Sequence, residues 1–151
     1  ADNNLFLFAN DGTTGSQYDY ELWKTDGTEG GTVKVSSDVI ANGGHYPVAV
    51  GDIFYLMGED ETHGEELWRS DGTEDGTFMV KDINPDGDSQ PLYLTALGDE
   101  LLFKADDGTH GYELWKSDGT ADGTVLVKDI NYGSSGSSWI QWNMACSVGD
   151  V

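Results

Sequence analysis

The chain repeats itself, and that constrains its fold more than any other feature. Glu21-Leu22-Trp23-Lys24-Thr25-Asp26-Gly27-Thr28 returns as Glu66-Leu67-Trp68-Arg69-Ser70-Asp71-Gly72-Thr73, then as Glu113-Leu114-Trp115-Lys116-Ser117-Asp118-Gly119-Thr120, at offsets of 45 and 47 residues. A Gly-Thr pair follows each block (Gly31-Thr32, Gly76-Thr77, Gly123-Thr124), and then an apolar run beginning at Val33, Phe78 or Val125. Another apolar run precedes each block, at residues 5–9, 53–57 and 101–105, and leads into an acidic loop rich in Gly and Thr. A period of this size marks an array of supersecondary units, each too small to bury its apolar face alone.

Each unit reads as four short strands: a leading one (residues 47–50 and 92–97), the run after Gly-Asp, the Glu-Leu-Trp strand, and the strand after Gly-Thr. Helix has no place, because no stretch of about ten residues holds a 3.6 period without Gly or turn signals. The fold class is therefore all-β. Four strands in so short a period is the size of a propeller blade, which predicts a β-propeller-like array of three four-stranded repeats within one domain, residues 1–151.

The repeats run approximately 3–51, 52–98 and 99–149, circularly offset. The first has no leading strand of its own, and residues 138–148 look like a leading strand without a blade. That C-terminal strand is expected to complete the first blade of the same or a neighbouring chain. Three wedges leave too much angle to close a propeller, so two chains forming a six-bladed ring, or an open fibre, are expected. The sequence starts at Ala1, as after signal-peptide removal or excision from a longer array.

Charge narrows the partners. With 28 acidic and 7 basic side chains the net charge is −21, which repels phosphate backbones and anionic membranes. No apolar run approaches the ~18 residues that span a bilayer. An acidity this high suits a saline or calcium-rich extracellular setting, or simply a soluble surface. Cys146, the only cysteine, excludes an intrachain disulfide and is expected to be a buried, inert thiol or an intermolecular contact.

At the repeated blocks the chain resembles the ELWxxDGT-repeat proteins, found in large secreted or surface proteins of bacteria. All three copies match the eight-residue motif, and the second and third also match a Val-Lys-Asp-Ile tail (Val80-Lys81-Asp82-Ile83 and Val127-Lys128-Asp129-Ile130). The resemblance implies a propeller-like β array and an exported protein, and no particular activity. The first copy departs from it by inserting Ser16-Gln17-Tyr18-Asp19-Tyr20 and by replacing the tail, so a lengthened loop is expected there.

The Asp-Gly-Thr turns (Asp26, Asp71, Asp118) explain themselves: Asp accepts backbone N–H groups two residues on, Gly supplies positive φ, and Thr closes the turn. Together with the loop acids Asp11, Asp60 and Asp107 they are also the candidate calcium ligands, calcium being the one cofactor the loops suggest, though EF-hand spacing is absent. Trp23, Trp68 and Trp115 are expected in the core with their N–H groups on neighbouring carbonyls. Trp139, Trp142, Tyr132, Cys146, Tyr18 and Tyr20 break the repeat and are the candidate interface or ligand residues. His63 and His110 read as solvated loop residues. Glu21, Glu66 and Glu113 are expected to pair with strand lysines or arginine, or to be solvated.

No nucleophile elbow, phosphate loop or zinc helix occurs. The expected function is a non-catalytic extracellular structural or adhesive protein that assembles with copies of itself by strand complementation. A carbohydrate-binding propeller taking glycans on Trp or Tyr faces is the alternative, and a secreted enzyme fragment the third reading.

Overall fold

The computed structural model describes residues 4–13, 19–42, 47–60 and 62–130. Eleven strands and no helix occur among them. They form three small antiparallel sheets in chain order. The first contains β1 (Leu5–Ala9), β2 (Asp19–Thr25) and β3 (Val33–Asn42). The second contains β4 (Val48–Val50), β5 (Ile53–Asp60), β6 (Gly64–Ser70) and β7 (Phe78–Lys81). The third contains β8 (Leu92–Leu97), β9 (Glu100–Asp106), β10 (Tyr112–Ser117) and β11 (Val125–Lys128). A single pair, Ile40 opposite Glu59, links the first sheet to the second.

The strands fall where β-branched and aromatic runs meet turn residues. Val50 pairs with Ile53 and Leu97 with Glu100, leaving two-residue Gly-Asp hairpin turns. Gly51 and Gly98 stand there at φ near +60°, which a tight hairpin requires and a side chain resists. Each Glu-Leu-Trp strand meets its outer neighbour with a slip of register at Leu-Trp: Leu67 lies opposite Lys81 and Trp68 opposite Met79, so Val80 is the extra residue of a bulge. Val127 takes the same place between Lys128 and Leu126.

Two apolar cores result, and both lie between sheets. The first joins Leu22, Val35 and Val39 to Leu56 and Trp68, with Phe6, Phe8, Phe54 and Met79 at its margin. Phe6 and Phe54 stack across it at 4.9 Å. The second joins Tyr55, Leu67, Val80 and Ile83 to Leu94, Leu101, Phe103 and Trp115. Alternation sends the two faces of each sheet opposite ways. In the second sheet Leu56 and Trp68 face the first sheet, while Tyr55 and Leu67 face the third.

All-β architecture and four strands per repeat hold for the second and third sheets, and the first has no leading strand among the described residues. The described sheets do not close into a ring. The first copy's insertion does more than lengthen a loop: Asp19 and Tyr20 extend β2 and pair with Asn42 and Ala41 of a ten-residue β3. Without the Val-Lys-Asp-Ile tail, nothing stops that strand where β7 and β11 end.

Candidate functional site

The repeated motif is one hydrogen-bonded unit. Asp71 Oδ1 accepts the backbone N–H of Thr73 at 2.9 Å and its hydroxyl at 2.6 Å. The Thr73 oxygen accepts Gly76 N–H at 3.0 Å. Thr77 returns its hydroxyl to the Thr73 carbonyl at 2.7 Å and meets Ser70 at 2.7 Å. Asp26 and Asp118 repeat the arrangement with Thr28 and Thr120. The second glycine of the unit is fixed by packing, since a Cβ on Gly31, Gly76 or Gly123 would collide with the carboxylate of Asp26, Asp71 or Asp118. The hydroxyls of Thr25, Ser70 and Ser117 complete the unit by accepting the N–H of Gly27, Gly72 and Gly119. Sequence reasoning missed them, although a hydroxyl stands at that place in every copy.

The loop acids are built similarly. Asp60 Oδ1 accepts N–H groups from Thr62 and His63 at 2.8 and 2.7 Å, while Oδ2 lies 2.7 Å from His63 Nδ1. Burial pushes the Asp60 carboxyl up, but its bonds to His63 and Thr62 outweigh that and bring it down to about 2. Asp107 holds His110 in the same way. Each carboxylate raises its histidine above the ordinary value. The two histidines are therefore hydrogen-bonded to loop carboxylates rather than merely solvated. In the first sheet Lys34 takes over that role, 2.6 Å from Asp11 and 3.1 Å from Glu21.

The six candidate calcium aspartates thus each serve their own turn. Among the described residues no three His, Cys, Asp or Glu side chains are placed to hold a metal ion. Trp139, Trp142, Tyr132, Cys146 and Tyr18 lie outside the described residues. Tyr20 is half-buried in β2.

Glu66 and Glu113 correct the expectation of solvation or pairing with strand cations. Both are fully buried. Glu66 Oε2 accepts Ile83 N–H at 3.0 Å and the Ser89 hydroxyl at 2.7 Å, and Oε1 accepts Asn84 N–H at 3.3 Å. Burial raises the Glu66 carboxyl. Glu113 accepts Ile130 N–H at 3.0 Å. The glutamate of the motif therefore anchors the isoleucine of the Val-Lys-Asp-Ile tail. In the first repeat, which lacks the tail, Glu21 bonds Lys34 instead. Trp68 and Trp115 are core residues, as expected. The indole N–H groups of Trp23, Trp68 and Trp115, expected on carbonyls, have no hydrogen-bond partner among the described residues.

Between sheets the same contact occurs twice. Lys24 Nζ donates to the Gly72 carbonyl at 2.6 Å, and Arg69 donates to the Gly119 carbonyl at 3.1 Å. The cross-strand partners of these cations, Phe6 and Tyr55, lie directly over the same two glycines. In the first two repeats the basic residue after Trp is thus a clamp on the next repeat's turn.

No family model, curated protein or solved structure matches this chain.

Proposed function

We propose that this is a non-catalytic structural or adhesive protein of the ELWxxDGT-repeat type, exported from the cell, whose sheets are propeller blades and which assembles with copies of itself. One observation carries the reading. Among the described residues β1 pairs with β2 on one side only, whereas its counterparts β5 and β9 each pair on both sides. An unpaired strand edge is a template for another strand, supplying main-chain hydrogen bonds in register. Residues 138–148 are the segment proposed to fill it, from the same chain or a second copy. Against a glycan-binding reading, Trp68 and Trp115 are already committed to the cores between sheets.

Light scattering on a sizing column, with calcium and then with chelator, tests the proposal. A mass above the 16.3 kDa monomer is expected, with loss of the assembly on deleting residues 138–151. Loss in chelator alone would place calcium in the contacts. A monomer in both buffers would sink the self-assembly reading.

A further inference from the structure

We infer that a second copy of this chain docks its first sheet on the outward face of the third sheet, repeating the contact that joins successive sheets within the chain. The inference rests on the self-assembly proposed above and names the surfaces that carry it. They are sheet faces, separate from the β1 edge.

The internal contact has two sides. The giving side is the face with the motif leucine, the bulge valine and the clamp. In the first sheet Leu22 and Val35 are buried by the second sheet, and in the second sheet Leu67, Val80 and Ile83 are buried by the third. In the third sheet the same places hold Leu114, Val127 and Ile130. Val127 is 46% exposed and Ile130 53% exposed, although Val80 and Ile83 are each 5% exposed. Nothing local distinguishes the valines, which are both bulge residues beside a motif leucine. What differs, among the described residues, is the presence of a following sheet.

The receiving side is the face with the motif tryptophan. Phe54, Leu56 and Trp68 receive the first sheet, and Leu101, Phe103 and Trp115 receive the second. Cross-strand register places Leu5, Leu7 and Trp23 at the corresponding positions of the first sheet. Leu5 is 66% exposed, against complete burial of Leu101. The one polar exchange is Lys34 in place of Met79 and Leu126, and Asp11 and Glu21 neutralise its charge within the same sheet.

The clamp is also divided between the two ends. Lys116 occupies the place of Lys24 and Arg69 but is held by Glu100 at the surface, 2.7 Å away. Gly27 occupies the place of Gly72 and Gly119, and the space beside its Cα is open where Phe6 and Tyr55 cover the other two. A docked second copy brings Lys116 to the Gly27 carbonyl. Such a contact is heterologous, so it grows head to tail until it closes a ring or extends as a filament.

Two variants of the full chain test this: Leu5→Arg on the receiving face, and Val127→Arg with Ile130→Arg on the giving face. Each substitutes exposed side chains, so circular dichroism and thermal unfolding should match the parent. With residues 138–148 filling the β1 edge of their own chain, each variant alone is expected to sediment as a monomer. An equimolar mixture is expected to give a 1:1 pair of twice the monomer mass and nothing larger, because one intact face remains on each chain. Misfolding cannot produce that recovery. If both variants keep the parent's assembled mass, the faces are not the contact, while assembly through the strand edge survives. Monomeric variants that stay monomeric when mixed would also overturn the inference. A parent chain that is itself monomeric would remove this inference and the reading beneath it together.

Discussion

The Glu66 carboxylate accepts the backbone N–H of Ile83 at 3.0 Å, tying the repeated motif to the end of its own repeat. The bond is buried, and Glu66 also satisfies Ser89 and Asn84. Glu66→Ala would leave the buried Ile83 N–H and the part-buried Asn84 N–H without their acceptor, at about 1–3 kcal/mol for each buried group so orphaned, while the Ser89 hydroxyl keeps the Glu65 carbonyl at 3.2 Å. A loss of roughly 3 kcal/mol in chemical denaturation is expected. Glu66→Gln should cost less, because a carbonyl oxygen remains. Burial sets the folded-state carboxyl of Glu66 above its ordinary 4.5. Its contribution to stability is therefore full below that value and is lost as pH rises through the raised one. The Gln variant should lack this slope. An unchanged slope would assign the pH dependence to other carboxylates.

Gly76 and Asp71 compete for the same space. A Cβ at Gly76 would collide with the Asp71 carboxylate, so Gly76→Ala must push aside a side chain that holds Thr73 by two bonds. The expected loss is about 1–3 kcal/mol, the range for overpacking. Asp71→Ala removes the obstacle along with its bonds. The double variant should therefore lose less than the sum of the single changes. Strict additivity in a denaturation cycle would refute the steric account.

Much of this was legible from sequence. Three copies of Glu-Leu-Trp followed by Asp-Gly-Thr gave the strand, the turn and the period, because Gly and Asp have few other uses at such spacing. The buried glutamates were not legible. A glutamate between Glu or Tyr and Leu looks solvated, and its acceptor role appears only once the chain folds back so that Ile83 and Ile130 approach. The available clue was joint variation: the first repeat lacks the tail and acquires Lys34. The clamp was hidden for a different reason. Lys24 and Gly72 are 48 residues apart and meet only once the sheets stack.

Two histidines should titrate above their ordinary range, each for a local reason. His63 is raised chiefly by its bond to Asp60, and His110 by its bond to Asp107. A raised histidine contributes stability that is complete below about 6.5 and is lost as pH climbs through the folded value. Asp60, lowered to about 2 from 3.8, contributes above 3.8 and loses that contribution as pH falls through about 2. The pair therefore supports the loop from mildly acid to near-neutral pH. Proton NMR of the imidazole rings reads this directly. Asp60→Asn should lower His63 toward its ordinary value and leave His110 where it was. A His63 already at or below about 6.5 in the parent would contradict the bonded geometry.

The clamps should matter in proportion to what they span. Arg69 donates to the Gly119 carbonyl from a partly buried position and lies 5.1 Å from the centre of the Phe78 ring. Hydrogen bonds to charged groups contribute about 1.5–3 kcal/mol, so Arg69→Ala should cost roughly 2 kcal/mol, and Lys24→Ala a similar amount. Lys116 has the same sequence context but bridges only to Glu100, with both side chains about 40% exposed. An exposed pair is worth about 0–1 kcal/mol, so Lys116→Ala should barely change the stability of the isolated chain. Three residues indistinguishable by motif are thus ranked by position in the array, Arg69 and Lys24 well above Lys116. Urea unfolding of the three variants at a concentration where the chain is monomeric measures the ranking. Equal losses at all three would mean that the lysine or arginine after Trp acts within its own sheet and is not a clamp between sheets.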